Sequence, residues 1–122
     1  ALADKSTPLH EAAVKGHADV VAALLAAGAA VDAIAEGSTP LLLAAVNGHA
    51  DVVTALLAAG AAVDARGSHD MTPMHIAAMK GAVDVVKVLL AAGAAVDATS
   101  NERTSLRMAT TLGHADVVAV LL

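Results

Sequence analysis

The 122 residues are enough for one domain, and 57% of them are hydrophobic although the chain contains no Phe, Trp or Tyr. The missing aromatic residues remove the stacking platforms of single-strand nucleic-acid binders. The net charge of -5 argues against nucleic acid, whose binding rests on phosphate neutralisation by Lys and Arg. The absence of Cys excludes a disulfide framework and a thiolate zinc site, and it fits a reducing compartment. Ala, Val and Leu must therefore form the core.

The first predicted elements are two short helices joined by a turn. Thr7 is predicted to cap the first helix, with Pro8 at its first position and Gly16 at its end. The second helix is predicted to end at Gly28, because glycine readily takes the left-handed conformation that terminates helices. Residues 34–38 are then predicted to form a turn that leads into the next unit.

The same unit recurs along the whole chain. Its opening Thr-Pro-Leu-His sequence at residues 7–10 returns in altered form after 32, 33 and 32 residues. A unit this short cannot bury its apolar face alone, so consecutive units must stack around one continuous core. The sequence therefore predicts a single domain, residues 1–122, with repeats at about 7–38, 39–71, 72–103 and 104–122, the last of them incomplete.

These residues resemble the ankyrin repeat. The resemblance rests on Thr-Pro-Leu-His at 7–10, Ala12-Ala13, Gly16-His17, Val20-Val21, Leu24-Leu25, and Gly28-Ala29 with Val31. It implies an all-α solenoid of stacked helix–turn–helix units with projecting β-turn fingers and a concave inner groove. It also implies a protein-binding role without catalysis in the repeats. The chain departs from the motif at Leu42, Ala82, Ser105 and Arg107.

No catalytic, cofactor or metal site stands out in the sequence. Five histidines occupy repeat positions, where the resemblance implies hydrogen bonds to turns and neighbouring repeats; only His69 lies outside the register. Asp32, Asp64 and Asp97 recur in register as well, and we expect each to organise its own finger through side-chain hydrogen bonds. Because no nucleophile arrangement, phosphate loop or zinc signature is present, we predict a non-enzymatic protein that uses no cofactor and no metal.

Partner binding is predicted at surface positions where the repeats disagree, because packing does not dictate those residues. The resemblance places such positions of the fingers and first helices along the concave groove. The candidates are Glu36, Ser38, Val46, Asn47, Ser68, His69, Met71, Met79, Lys80, Asn101, Glu102, Arg103, Thr111 and Leu112. The predicted function is a protein–protein interaction module that binds a protein of unknown identity through this concave face, without nucleic-acid binding or membrane insertion.

Met71 and Met79 are the candidates for an adaptable contact patch, whereas Met74 and Met108 are predicted to fill gaps in the core. Glu11 is charged where Leu43, Ile76 and Met108 are apolar. We expect this position to face the preceding repeat, which would make repeat one an N-terminal cap.

Two alternative functions stay open. Residues 7–33 and 39–65 differ at only four positions, which fits a designed or consensus-like scaffold without a natural partner. The chain stops on Leu121-Leu122 without the Gly stop of the earlier repeats, which fits the targeting domain of a larger enzyme. The apolar residues at that end also permit self-association through the last repeat.

The sequence further predicts an intracellular, cytoplasmic location. Nothing at the N-terminus resembles a signal peptide. The longest apolar run, residues 20–31, is too short to cross a bilayer.

Overall fold

The computed structural model describes residues 6–122, so the first five residues of the predicted domain lie outside the described residues. Within that range eight α-helices follow one another without a β-strand, and a short 3₁₀ turn spans Ser68–Asp70. The helices are α1 (Pro8–Lys15), α2 (Ala18–Ala26), α3 (Pro40–Val46), α4 (Ala50–Ala58), α5 (Pro73–Lys80), α6 (Val83–Ala91), α7 (Ser105–Leu112) and α8 (Ala115–Leu121). Consecutive helices form four pairs, and the predicted all-α stack of helix–turn–helix units is confirmed.

The first helix of each pair is capped by a threonine directly before it, as the sequence predicts. The hydroxyl oxygen of Thr7 accepts a hydrogen bond from the backbone N–H of His10 at 3.3 Å, and Pro8 follows at the first helical position. Thr39, Thr72 and Thr104 cap the other first helices in the same way. These bonds satisfy backbone donors that have no partner inside the helix, and they fix where each unit starts.

The four pairs stack into two layers. The helices α1, α3, α5 and α7 pack in sequence to form one layer, and α2, α4, α6 and α8 form the other. Alanine pairs such as Ala44-Ala45 are completely buried in the first-helix layer. Small side chains let neighbouring helices approach closely, so a core without aromatic residues still excludes water.

The position that is buried against the preceding repeat is that of Val20, whereas that of Glu11 stays at the surface. Val20 is 47% exposed, whereas its equivalents Val52, Val85 and Val117 are completely buried because each packs on an earlier helix pair. Leu43, the equivalent of Glu11, is only half-buried and lies beside Glu11 on a surface groove. The expectation that this position is buried between repeats, on which the cap assignment of Glu11 rested, was therefore wrong, since Leu43 borders solvent in repeat two as well.

The recurring aspartates join neighbouring repeats. The Asp32 carboxylate accepts a hydrogen bond from the backbone N–H of Ala62 at 3.1 Å, and Asp64 accepts one from Ala95 at 2.9 Å. Both donors lie in the exit segment of the following unit. The expectation that Asp32 and Asp64 organise their own fingers was wrong, because the stack brings the next unit's free N–H within reach.

Two histidines join repeats on the opposite side, at the turn inside each helix pair. The Nε2 of His49 donates to the carbonyl oxygen of Val14, and that of His114 donates to the carbonyl of Met79, each at 3.0 Å. The rings lie against Gly16 and Gly81, where an added Cβ would come within 2.6 and 2.8 Å of ring atoms. No such contact covers Gly48, because the next unit carries Ala82 instead of His.

We expect Val52→Ala to lower the free energy of unfolding by about 2–3 kcal/mol, because it removes two buried methyl groups and leaves a cavity between repeats. The matched change Val20→Ala should cost less than about 1 kcal/mol, since that side chain is half exposed. Urea unfolding followed by far-ultraviolet circular dichroism measures both. Equal losses at the two positions would contradict the assignment of the inter-repeat face.

We expect Gly16→Ala to destabilise the protein by about 1–2 kcal/mol more than Gly48→Ala. Both glycines have positive φ, 78° and 73°, so the backbone strain is the same; only at Gly16 must the His49 ring move and release the Val14 carbonyl. Thermal and urea unfolding give the difference. In a His49→Ala background, Gly16→Ala and Gly48→Ala should destabilise the protein equally. A larger loss at Gly16 in that background would show that His49 is not its cause.

Candidate functional site

A continuous groove lies between the first helices and three turn segments, here called the fingers: residues 34–38, 66–71 and 99–103. It consists of three cavities, of about 340, 220 and 670 Å³ in chain order. The first two cavities share Ser38 and Leu43, and the last two share His69, Met71 and Met79. The cavities therefore form one surface that extends over all four helix pairs.

The outer fingers are closed by backbone hydrogen bonds. Ala35 and Ser38 exchange two backbone bonds of 3.0 Å across a two-residue tip, and Ser100 and Arg103 exchange bonds of 2.9 and 3.0 Å. Both residues of each tip have positive φ, including Glu36 at 54° and Glu102 at 67°. Such tips favour Asn-Gly, so these glutamates carry local backbone strain.

The middle finger is one residue longer and is tied to its neighbours. Its ends are joined by a 2.9 Å bond from the N–H of Gly67 to the carbonyl of Met71. The Arg66 guanidinium donates to the Thr99 carbonyl at 2.9 Å, and the Ser100 hydroxyl donates to the His69 carbonyl at 2.6 Å. The last two fingers therefore form a connected wall.

Most of the predicted binding residues lie on the walls of the groove. The cavities are bordered by Glu36, Ser38, Val46, Ser68, His69, Met71, Met79, Asn101, Arg103, Thr111 and Leu112. Asn47, Lys80 and Glu102 are exposed but border none of the three cavities. The Asn47 amide instead donates to the Leu43 carbonyl of its own helix at 2.8 Å.

The floor of the groove was missed by the sequence prediction. Leu43, Ile76 and Met108 are half-buried and border the cavities. The assignment of Met108 to the core was wrong, because it occupies the same register position as Leu43. The available signal was helical spacing: these residues lie three positions before the predicted groove residues Val46, Met79 and Thr111, and therefore on the same helix face.

The two ends of the groove differ in charge. Glu11 and Glu36 border the first cavity, the middle cavity has no carboxylate or cationic side chain, and Arg103 borders the last. Lys15 pairs with Glu11 at 3.4 Å, but both side chains are exposed, so this pair contributes little. Glu36 and Arg103 form no ion pair with any residue between 6 and 122. Within those residues, neither charge is neutralised by an ion pair.

Buried histidines hold the base of the fingers to the first helices. The N–H of Thr72 donates to Nδ1 of His75 at 3.1 Å, so Nδ1 is unprotonated and Nε2 donates to the Ala98 carbonyl at 2.9 Å. Burial lowers the pKa of His75 below its usual 6.5, against the opposing effect of the bonds to backbone carbonyls. His10 makes equivalent bonds to Thr7 and Ala33. These histidines have a structural role.

Between residues 6 and 122, no group of three or more His, Cys, Asp or Glu side chains could hold a metal ion. None of the helices in that range has the length and apolar character that a bilayer crossing requires.

A sequence model of the family described as "Ankyrin repeats (3 copies)" matches residues 1–67 and residues 60–122. The two overlapping matches together span the chain. Among curated proteins, no match was found.

We expect His75 to make the protein lose stability as the pH falls below 6.5. The folded pKa is lowered, so below 6.5 the unfolded chain binds a proton that the folded chain refuses. This contribution is complete above 6.5 and is lost as the pH falls towards the lower folded pKa. Urea unfolding at several pH values gives the slope. His75→Gln should reduce it, whereas His17→Gln, at an exposed position, should not; equal slopes in all three proteins would contradict the assignment.

Proposed function

The chain belongs to the ankyrin-repeat family, and on that premise we propose that it is a non-enzymatic module that binds a protein partner in the groove. Ankyrin repeats are generally protein–protein interaction modules. The observation that best supports this role here is the continuous groove, with an apolar floor between the first helices and a wall of linked fingers.

The groove has the surface chemistry of a contact site. Met79 is 36% exposed and Leu112 is 52% exposed, and both border its largest cavity. Contiguous apolar surface rimmed by polar groups marks interaction sites, and methionine side chains adapt their shape to a partner. Because the chain has no Tyr or Trp, the groove methionines Met71 and Met79, together with Arg103, are the candidates for the largest contributions to binding.

Two other roles remain as alternatives. The near identity of residues 7–33 and 39–65 supports a designed or consensus-like scaffold, which would have the groove but no partner. A targeting domain of a larger enzyme would use the same groove to recruit that enzyme to its substrate. An intracellular, cytoplasmic location and self-association through the last helix pair also stay predictions.

We expect the double variant Met71→Ala, Met79→Ala to reduce partner capture at least tenfold, because each side chain borders two adjoining cavities. The measurement is capture from a cell lysate on the immobilised protein, quantified by mass spectrometry. Lys80→Ala is the matched control, since Lys80 neighbours Met79 but borders no part of the groove. Its capture should equal that of the unchanged chain.

Unchanged capture by the methionine variant, with unchanged thermal unfolding, would place the contact elsewhere on the molecule. No specific capture by any of the proteins would favour the scaffold without a partner.

A further inference from the structure

The groove differs along its length in charge and in the size of its cavities. At its first end the cavity of about 340 Å³ is bordered by the carboxylates of Glu11 and Glu36. At its other end the cavity of about 670 Å³ is bordered by the Arg103 guanidinium and by no carboxylate. An occupant therefore meets opposite charges at the two ends.

Two pairs of opposite charges lie near the end cavities. Lys15 neutralises part of Glu11 through an exposed pair, but no ion pair involves Glu36 within residues 6–122. At the other end, the exposed side chains of Glu102 and Lys80 lie outside the cavity and have opposite signs. Among residues 6–122, Glu36 and Arg103 are thus the charged residues that border the end cavities without an ion pair.

The larger cavity provides the apolar contact. Met71, Met79 and Met108 come from a finger and from two different first helices, and Leu112 completes the apolar wall. The cavity is larger than one side chain requires, and unbranched methionines can close around different shapes. The cavity therefore has room for more than one bulky aliphatic or aromatic side chain.

Resting on the proposed function, we infer that the groove binds a peptide segment with three features in a fixed order. A basic side chain pairs with Glu36, and a carboxylate pairs with Arg103. Bulky apolar side chains fill the middle cavity and the largest cavity, here called the methionine cavity because Met71, Met79 and Met108 border it. Complementary charges at the ends of a binding surface fix the direction and register of the bound partner more than they raise its affinity. The segment therefore lies in one direction along the stack.

The test is selection of a random peptide library displayed on phage against the whole chain, followed by sequencing of the enriched peptides. We expect apolar side chains flanked by a basic residue on one side and an acidic residue on the other, in one consistent order. Arg103→Glu should shift the preference at the acidic position towards Lys and Arg by about five- to tenfold. Glu36→Lys should shift the basic position towards Asp and Glu, so each variant controls for the other.

Lys87→Glu makes the same change in net charge as Arg103→Glu, but on exposed surface of α6 in the second-helix layer, and should leave both preferences unchanged. Arg103→Gln, which keeps the backbone bonds to Ser100, should remove the acidic preference without reversing it. Circular dichroism checks the folding of every variant.

Two failures are distinguishable. The enriched peptides could lose binding to the Met71→Ala, Met79→Ala variant and yet show no consistent order of charges, or no reversed preference in the charge variants. That result would overturn the proposed peptide direction and leave groove binding intact. Enriched peptides indifferent to the methionine variant, or no enrichment at all, would overturn both. Dimerisation of the free chain that Arg103→Glu abolishes would identify a second copy as the occupant and would also overturn the inference.

Discussion

Burial between adjacent helix pairs is the constraint on which the rest of this structure depends. One pair leaves apolar surface uncovered, as the 47% exposure of Val20 shows. The equivalent valines of later pairs are completely buried, because an earlier pair packs on them. Because each pair contacts its immediate neighbours, stability is a sum of local interfaces, and the chain must repeat the residues that make them. The Ala, Val and Leu positions are therefore committed to stacking. The residues that line the groove do not make these interfaces, and they can therefore differ from repeat to repeat.

The hydrogen bonds between repeats are distributed unevenly along the stack. At the first and last joints a histidine bonds the preceding unit on the turn side, through Val14 and Met79. At the middle joint Ala82 makes no such bond, and the connections lie on the finger side instead, from Arg66 to the Thr99 carbonyl and from Ser100 to the His69 carbonyl. The wall beside the methionine cavity is thus the one fixed most directly by side chains.

The sequence predicted the helix boundaries because they depend on local chemistry. A threonine whose hydroxyl caps a helix and a glycine that can take positive φ act within a few residues, so Thr7 and Gly16 could be placed without knowledge of the stack. The Glu11 position could not be assigned in the same way. Apolar residues at Leu43 and Ile76 fit a packing face and a groove floor equally well, and only the relative rotation of neighbouring pairs decides between them.

The prediction about the aspartates was wrong for the same reason as that about Glu11: it depends on how neighbouring pairs are placed. Whether Asp32 bonds its own finger or the Ala62 N–H depends on the distance between exit segments, which the spacing in one chain does not reveal. The candidate groove was predicted better than these contacts, because disagreement between repeats identifies positions that packing does not control. That criterion also selects exposed residues outside the groove, such as Lys80. Leu43 was passed over although its position differs between the repeats, because its apolar side chain fitted a packing face. Groove residues are therefore identified best by two conditions together: variation between repeats, and helical spacing of three or four from another such position.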